Sequence, residues 1–213
     1  MNIKFSKIAL GLAFTAIAFS ASAQKKYTQG TITYSASANG QEGESKVYFT
    51  TDSSVSVAQY GPANVKLLIN TKGTYFAVLL DVPVASMKKV AVLTPDEIEQ
   101  GLAAAPKLTF TAGTETKQIS GFNCKKVTVK DTKSGSTYTA WVTNDISAPV
   151  NILTRFFADA GGFPVQFTTF QMGQPVDVTL KSITDERAPA GTFGIPAGFE
   201  KISYDDLKAM GGK

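Results

Sequence analysis

The stretch Ile119–Asp145, ISGFNCKKVTVKDTKSGSTYTAWVTND, decides the fold. Two runs alternate with a period of two around a centre rich in turn residues. The pattern predicts a β-hairpin: strand Phe122–Lys130, turn Asp131–Gly135, strand Ser136–Asn144. Alternation puts Val127 and Val129 on one face of the first arm, and Tyr138, Ala140 and Val142 on one face of the second. The first arm holds the only cysteine, Cys124, and the second the only tryptophan, Trp141. Trp141 points away from the Tyr138–Val142 set, among Thr137, Thr139 and Thr143. It either covers the edge of a core or lines a cavity, and we expect it on the concave side of the sheet.

The chain before the hairpin supplies strands to pair with it. Thr31–Tyr34 alternates, and Asn39-Gly40 is the strongest short hairpin signal, because both residues tolerate positive φ. Val47 with Phe49, and Val55 with Val57, share faces of two further strands. Gly61-Pro62 punctuates the chain, and Val65, Leu67 and Ile69 then alternate with Lys66, Leu68 and Asn70. Thr74–Leu80 (TYFAVLL) is apolar on both faces, so both sides of this strand need a cover. Met87–Leu93 is another strand. At Thr94 the period changes: Thr94 as N-cap, Pro95 at N1 and Glu97 at N3 start a helix, stopped by Pro106. Its apolar stripe, Ile98, Leu102 and Ala105, predicts docking on a sheet by Ile98 and Leu102. Lys107–Thr111 resumes as strand.

After the hairpin, Val150, Leu153 and Phe157 fall at helical spacing, as do Ile152 and Phe156, so Ala148–Gly162 is predicted as a short helix or partly helical loop. Val165–Met172 is a strand, Gly173-Gln174 a turn, and Val176, Val178 and Leu180 alternate in a last long strand ending near Asp185. Ala188–Phe199, rich in Pro and Gly, reads as extended coil. Ser203 caps a short terminal helix with Asp206 at N3.

The chain begins with a segment outside this pattern. Lys4 and Lys7, an apolar run Ile8–Phe19 and Ala21-Ser22-Ala23 have the form of a signal peptide. The run is short of the roughly 20 apolar residues a span requires, and no cysteine follows it to take a lipid. We expect cleavage at Ala23/Gln24, a periplasmic or secreted chain, and no stable membrane anchor. The whole chain has 21 basic and 17 acidic residues. Without Lys4 and Lys7 the balance is 19 − 17 = +2, with no basic run, so nucleic acid is not an expected partner. The rest of the chain forms one domain, residues 24–213, with its core at about 27–185; a lone cysteine forms no internal disulfide.

No histidine is present. That excludes Ser-His-Asp catalysis, a histidine general base and most zinc chemistry. Cys124 has no His or second Cys beside which to act, and reads as a small buried hydrophobe. The acidic pairs Asp96/Glu97 and Asp205/Asp206 sit at helix starts and Asp185/Glu186 at a strand end, and no glycine spacing fits a phosphate loop. The chain reads as a non-enzyme with no cofactor and no metal.

Three pieces then suggest a family. Gly121-Phe122-Asn123-Cys124-Lys125-Lys126, Trp141-Val142-Thr143-Asn144-Asp145-Ile146 and Gly162-Phe163-Pro164-Val165 form a cassette that resembles secreted Gram-negative domains of unknown function. These are grouped near the periplasmic lipoprotein-carrier fold, LolA/LolB-like. A weaker similarity is to the GLPGLI family, whose Gly-Leu-Pro-Gly-Leu-Ile run is not present here. The resemblance implies a mainly β (α+β) fold: a single curved antiparallel sheet, a LolA-like half-barrel, with two or three short helices packed on the concave face.

Two functions compete on this basis. One is a periplasmic protein that binds or carries an apolar ligand, an acyl chain or lipoprotein, on Phe76, Leu80, Phe110, Trp141, Phe157 and Phe170, since ligand pockets are mostly apolar and found in barrel mouths. The other is an envelope interaction or structural protein whose sheet is filled by its own segments and takes no ligand.

Overall fold

The computed structural model describes residues 24–38, 41–171 and 174–210. The predicted signal peptide, the Asn39-Gly40 turn, Met172 and Gly173 lie outside them.

After a two-residue strand β1 (Lys25–Lys26), the chain forms an antiparallel meander: β2 (Gly30–Ala38), β3 (Gln41–Phe49), β4 (Ser53–Tyr60), β5 (Ala63–Asn70), β6 (Phe76–Val82) and β7 (Met87–Val92). Helix α1 (Pro95–Ala104) leads to a second one: β8 (Leu108–Ile119), β9 (Phe122–Asp131), β10 (Thr137–Thr143), β11 (Ile146–Ser147), β12 (Phe163–Gln171) and β13 (Gln174–Thr184). A short β14 (Glu200–Lys201) and helix α2 (Tyr204–Met210) follow. The two meanders join where β13 pairs antiparallel with β2, giving the order β14-β7-β6-β5-β4-β3-β2-β13-β12-β10-β9-β8. β11 leaves this ladder and pairs in parallel with β1.

The order itself shows that the sheet curves. β7 and β8 stand ten strand spacings apart, roughly 48 Å if the sheet were flat. The ten-residue helix between them spans about 15 Å, and the few flanking residues add roughly 20 Å when fully extended. The edges must curl toward each other, and α1 straps them. The fold is a curved, unclosed and mostly antiparallel sheet, the half-barrel that the family resemblance implies.

Register defines the two faces. Ile32, Val47, Ser56, Leu67, Val78 and Ala91 stand in one row of directly opposed residues across six strands. Tyr34, Ser45, Ala58, Val65, Leu80 and Lys89 form the next row. This inner face continues through Leu180, Val178, Phe167, Ala140 and Val127 into the largest core cluster. Residues 148–162 pack against it through Ile152, Leu153, Phe157 and Ala160. α2 adds Leu207 over Val78 and Ala91. On the opposite face, Val55, Leu68, Ala77, Leu79 and Val90 are covered by Phe193, Ile195 and Phe199 of the extended coil. Both faces of β6 are thus covered, as its apolar run required.

Two predicted elements differ. Residues 148–162 are successive turns: Thr154 N donates to Asn151 O, Phe157 N to Thr154 O and Ala160 N to Phe157 O. The period is three, and it buries Asn151, Thr154, Phe157 and Ala160 while Val150 stays exposed. The Asn151 side-chain oxygen accepts from the Leu153 and Thr154 amides and so competes with an α-helical start. α1 forms where predicted, with its full capping box. Its apolar stripe is not docked: no residue of α1 is buried and Leu102 is 56% exposed. The helix is held at its C-terminal end, where Lys133 Nζ donates to the carbonyls of Ala103 and Ala105.

Candidate functional site

The family-like cassette is a clasp at the open end of the β9–β10 hairpin. Thr143 Oγ1 donates to Asn123 O at 2.8 Å, and the Asp145 carboxylate accepts from Asn123 N at 2.7 Å. A Cβ on Gly162 would sit 2.8 Å from Thr143 O, so only glycine fits this approach. Cys124 lies under the clasp, 1% exposed, its thiol donating to Phe122 O at 3.4 Å. Burial pushes that thiol up to about 11, which keeps it protonated and unreactive near neutrality. At the hairpin turn, Asp131 accepts from Ser134 Oγ and from the amides of Lys133 and Lys107, and these bonds hold its carboxyl below the usual range, the Ser134 bond foremost.

The six sequence-predicted ligand residues separate into four places. Phe110 and Phe157 stack with centroids 5.6 Å apart, and Phe157 meets Phe167 at 4.7 Å. This row continues edge-on to Tyr34 and closes the inner face beside β2, β12 and β13; Phe157 is 2% exposed. Phe170 pairs edge-on with Tyr138 at 5.6 Å. Phe76 and Leu80 remain together on the inner face of β6, half-buried with Val65 and Leu67 around Val78, Ala91 and Leu207.

Trp141 is on the outer face, not the concave one. It stands opposite Lys126 and Gln166 in the register, with Lys117 Nζ 4.2 Å above its ring. Lys117 also donates to Gln166 Oε1. With Ser35, Thr139, Thr168, Asp177 and Thr179 it borders an open cleft of about 420 Å³. Of the threonines flanking it in sequence, Thr137 and Thr139 are exposed on this polar outer surface, while Thr143 is buried in the clasp. A second hollow of about 240 Å³ lies between β11 and residues 148–164, beside Gln24.

Sequence reasoning passed over Arg155. It sits in the turn segment that crosses the inner face, half-buried, its guanidinium carbon 4.6 Å from the Phe156 centroid and 6.0 Å from that of Phe76. Among the described residues it forms no ion pair, and its Nε is buried without a hydrogen-bond partner. Burial pushes the group below the usual arginine range, offset in part by the nearby Tyr204. Ser54 Oγ is also buried on the inner face without a partner, and Tyr34 Oη and the Asn151 side chain face each other there without forming a well-aligned hydrogen bond. The signal in the sequence was a single cation inside an otherwise uncharged run, Val150–Phe157.

Among the described residues, no group of three His, Cys, Asp or Glu side chains is placed to hold a metal, and no helix is long and apolar enough to cross a membrane. No family model matches the chain, and no curated protein does. Among solved structures it is similar to PNGF-II, at a TM-score of 0.50 and 17% identity over 85% of this chain and 32% of that one. The chain thus spans about a third of PNGF-II. An uncharacterised conserved protein from Thermus thermophilus aligns at a TM-score of 0.50 with 9% identity, over 83% of this chain and 90% of that one. MucB, solved in complex with MucA(peri), aligns at 0.33 and 12% over 80% of this chain and 54% of its own. At these identities the first two likenesses concern the fold alone, and the third carries no argument.

Proposed function

We propose that this chain is a non-enzymatic binding or carrier protein for an apolar ligand, an acyl chain or lipoprotein, acting in the periplasm or outside the cell after loss of residues 1–23. One observation carries the reading. On the inner face of β5 and β6, Val65, Leu67, Phe76 and Leu80 form a contiguous apolar set that α2 and residues 148–162 cover only in part, each side chain remaining half-buried. Contiguous apolar side chains that the chain's own segments do not fully bury, on the inner face of a curved sheet, are where such ligands bind. Phe110, Phe157 and Phe170 drop out of the proposed site, since they pack against the protein's own aromatic rings. Trp141 drops out because it faces the other way.

The same aromatic row favours a second reading. Where residues 148–162 close the inner face, the sheet is filled by its own chain, as in an envelope interaction or structural protein that takes no ligand. Native mass spectrometry of the protein purified from its own envelope separates the two. A carrier retains a bound acyl species that is lost on Leu80→Glu; an interaction protein shows the bare chain mass, and Leu80→Glu changes nothing in the spectrum.

A further inference from the structure

We infer that Arg155 is the head-group anchor of the apolar site on β5 and β6, and that the ligand is a long-chain monocarboxylate. This rests on the carrier reading above and specifies its ligand. Taking an ionised side chain out of water is costly unless it finds a partner. Arg155 sits between two aromatic rings with Nε buried and no carboxylate within ion-pair distance among the described residues. The lysines on the inner side of this region are matched: Lys89, in the same row as Leu80, pairs with Glu200, and Lys208 of α2 pairs with Asp205, while Lys66 of β5 stands opposite Leu79 on the other face. Among the described residues, that leaves the Arg155 charge uncompensated beside Phe76, at the border of the apolar patch.

The geometry of the group selects the counterion. A guanidinium offers parallel N–H donors that match a carboxylate in a bidentate pair. One unmatched cation balances one negative charge, whereas a phosphate monoester would leave a second charge uncompensated. An acyl chain laid along Phe76, Leu80, Leu67 and Val65 places its carboxylate at Arg155. The aromatic rings hold the guanidinium in place before the ligand arrives, and cation–π contact partly substitutes for the counterion in the empty protein.

The test uses residues 24–213 with palmitate and the neutral 1-hexadecanol, both below their aggregation limits, titrated by calorimetry near pH 7.5. Wild type should bind palmitate one to one and at least ten-fold tighter than the alcohol. Arg155→Met should lose that preference by weakening the acid alone, and Arg155→Lys should keep part of it. Arg155→Met should also match or exceed wild type in thermal midpoint without ligand, because it removes a partly desolvated charge with no ion-pair partner among the described residues. A purely structural arginine would instead lower the midpoint and leave the preference untouched. Equal binding of acid and alcohol by wild type overturns the anchor while the apolar site stands. Binding of neither overturns the site and the anchor together.

Discussion

Cys124 shows what burial does to a single titratable side chain. Its thiol ionises near 9 in a solvated chain and near 11 here, because the anion would lose its hydration. Below about pH 9 the thiol is neutral folded or unfolded and costs nothing. Above it the unfolded chain releases a proton that the folded chain keeps, so the unfolded state binds fewer protons and stability falls as pH rises toward 11. Unfolding free energies of wild type and Cys124→Ala, compared across that range, should diverge in favour of alanine. Cys124→Ser should lower stability by about 1 kcal/mol near neutrality, with little effect on ligand binding; selective loss of binding would overturn the structural role. Trp141 gives the complementary case. A period of two tells which residues share a face but not which face is covered, and a neighbourhood of threonines was the only local hint that this one is outward. An acyl ligand on β5 and β6 should therefore leave tryptophan emission unshifted while calorimetry reports binding. Lys117→Ala should raise the quenching of that emission by acrylamide, since Lys117 caps the ring.

Elements were legible in proportion to how local their causes are. The capping box of α1 and the Ser203–Asp206 cap of α2 depend on residues three apart, and both formed as the sequence indicated. What a helix packs against depends on the rest of the molecule, and there the two helices part. Leu102→Ala should cost less than about 0.5 kcal/mol, in the range of surface changes. Leu207→Ala, at a position 7% exposed over Val78 and Ala91, should cost about 2–5 kcal/mol. Urea titration of both variants checks the contrast, and a large loss at Leu102 would mean that α1 is docked. The segment 148–162 was misread for a related reason. Its i, i+4 apolar spacing fits a helix, but the Asn151 side chain and the Thr169 hydroxyl, bonded to Leu153 O at 2.9 Å, fix it as turns. Phe157→Ala should cost about 3–5 kcal/mol by opening the aromatic row, measured by the same titration.

At the scale of the molecule, the antiparallel strands were readable because most follow one another as hairpins, each marked by its own turn and alternation, while the curvature of the sheet was implied by the family resemblance. Two-sided burial of β6 was readable as well, from a run with no polar face. The inner site was not, since it is assembled from β5, β6, a turn segment and a terminal helix far apart in sequence. Phe76 and Leu80 were recognised for their apolarity, while Arg155 acquires meaning only from what surrounds it.

The two meanders meet along β2 and β13, the strap α1 lies at the far side, and no residue of that strap is buried. A single cut in α1 therefore leaves two polypeptides whose long strands are neighbours in the sheet, β2–β7 in one and β8–β10 with β12 and β13 in the other, while the two-residue strands β1 and β14 each pair across to the other piece. The first would run from Gln24 through β7, and the second from β8 to the end. They should reassemble in trans through the β2–β13 seam and the shared core, at a cost set by lost tethering rather than lost contacts. Co-expression of residues 24–99 and 100–213 should yield a one-to-one heterodimer with the circular dichroism of the intact chain. Two halves that stay apart would show that the strap, and not the seam, holds the molecule together.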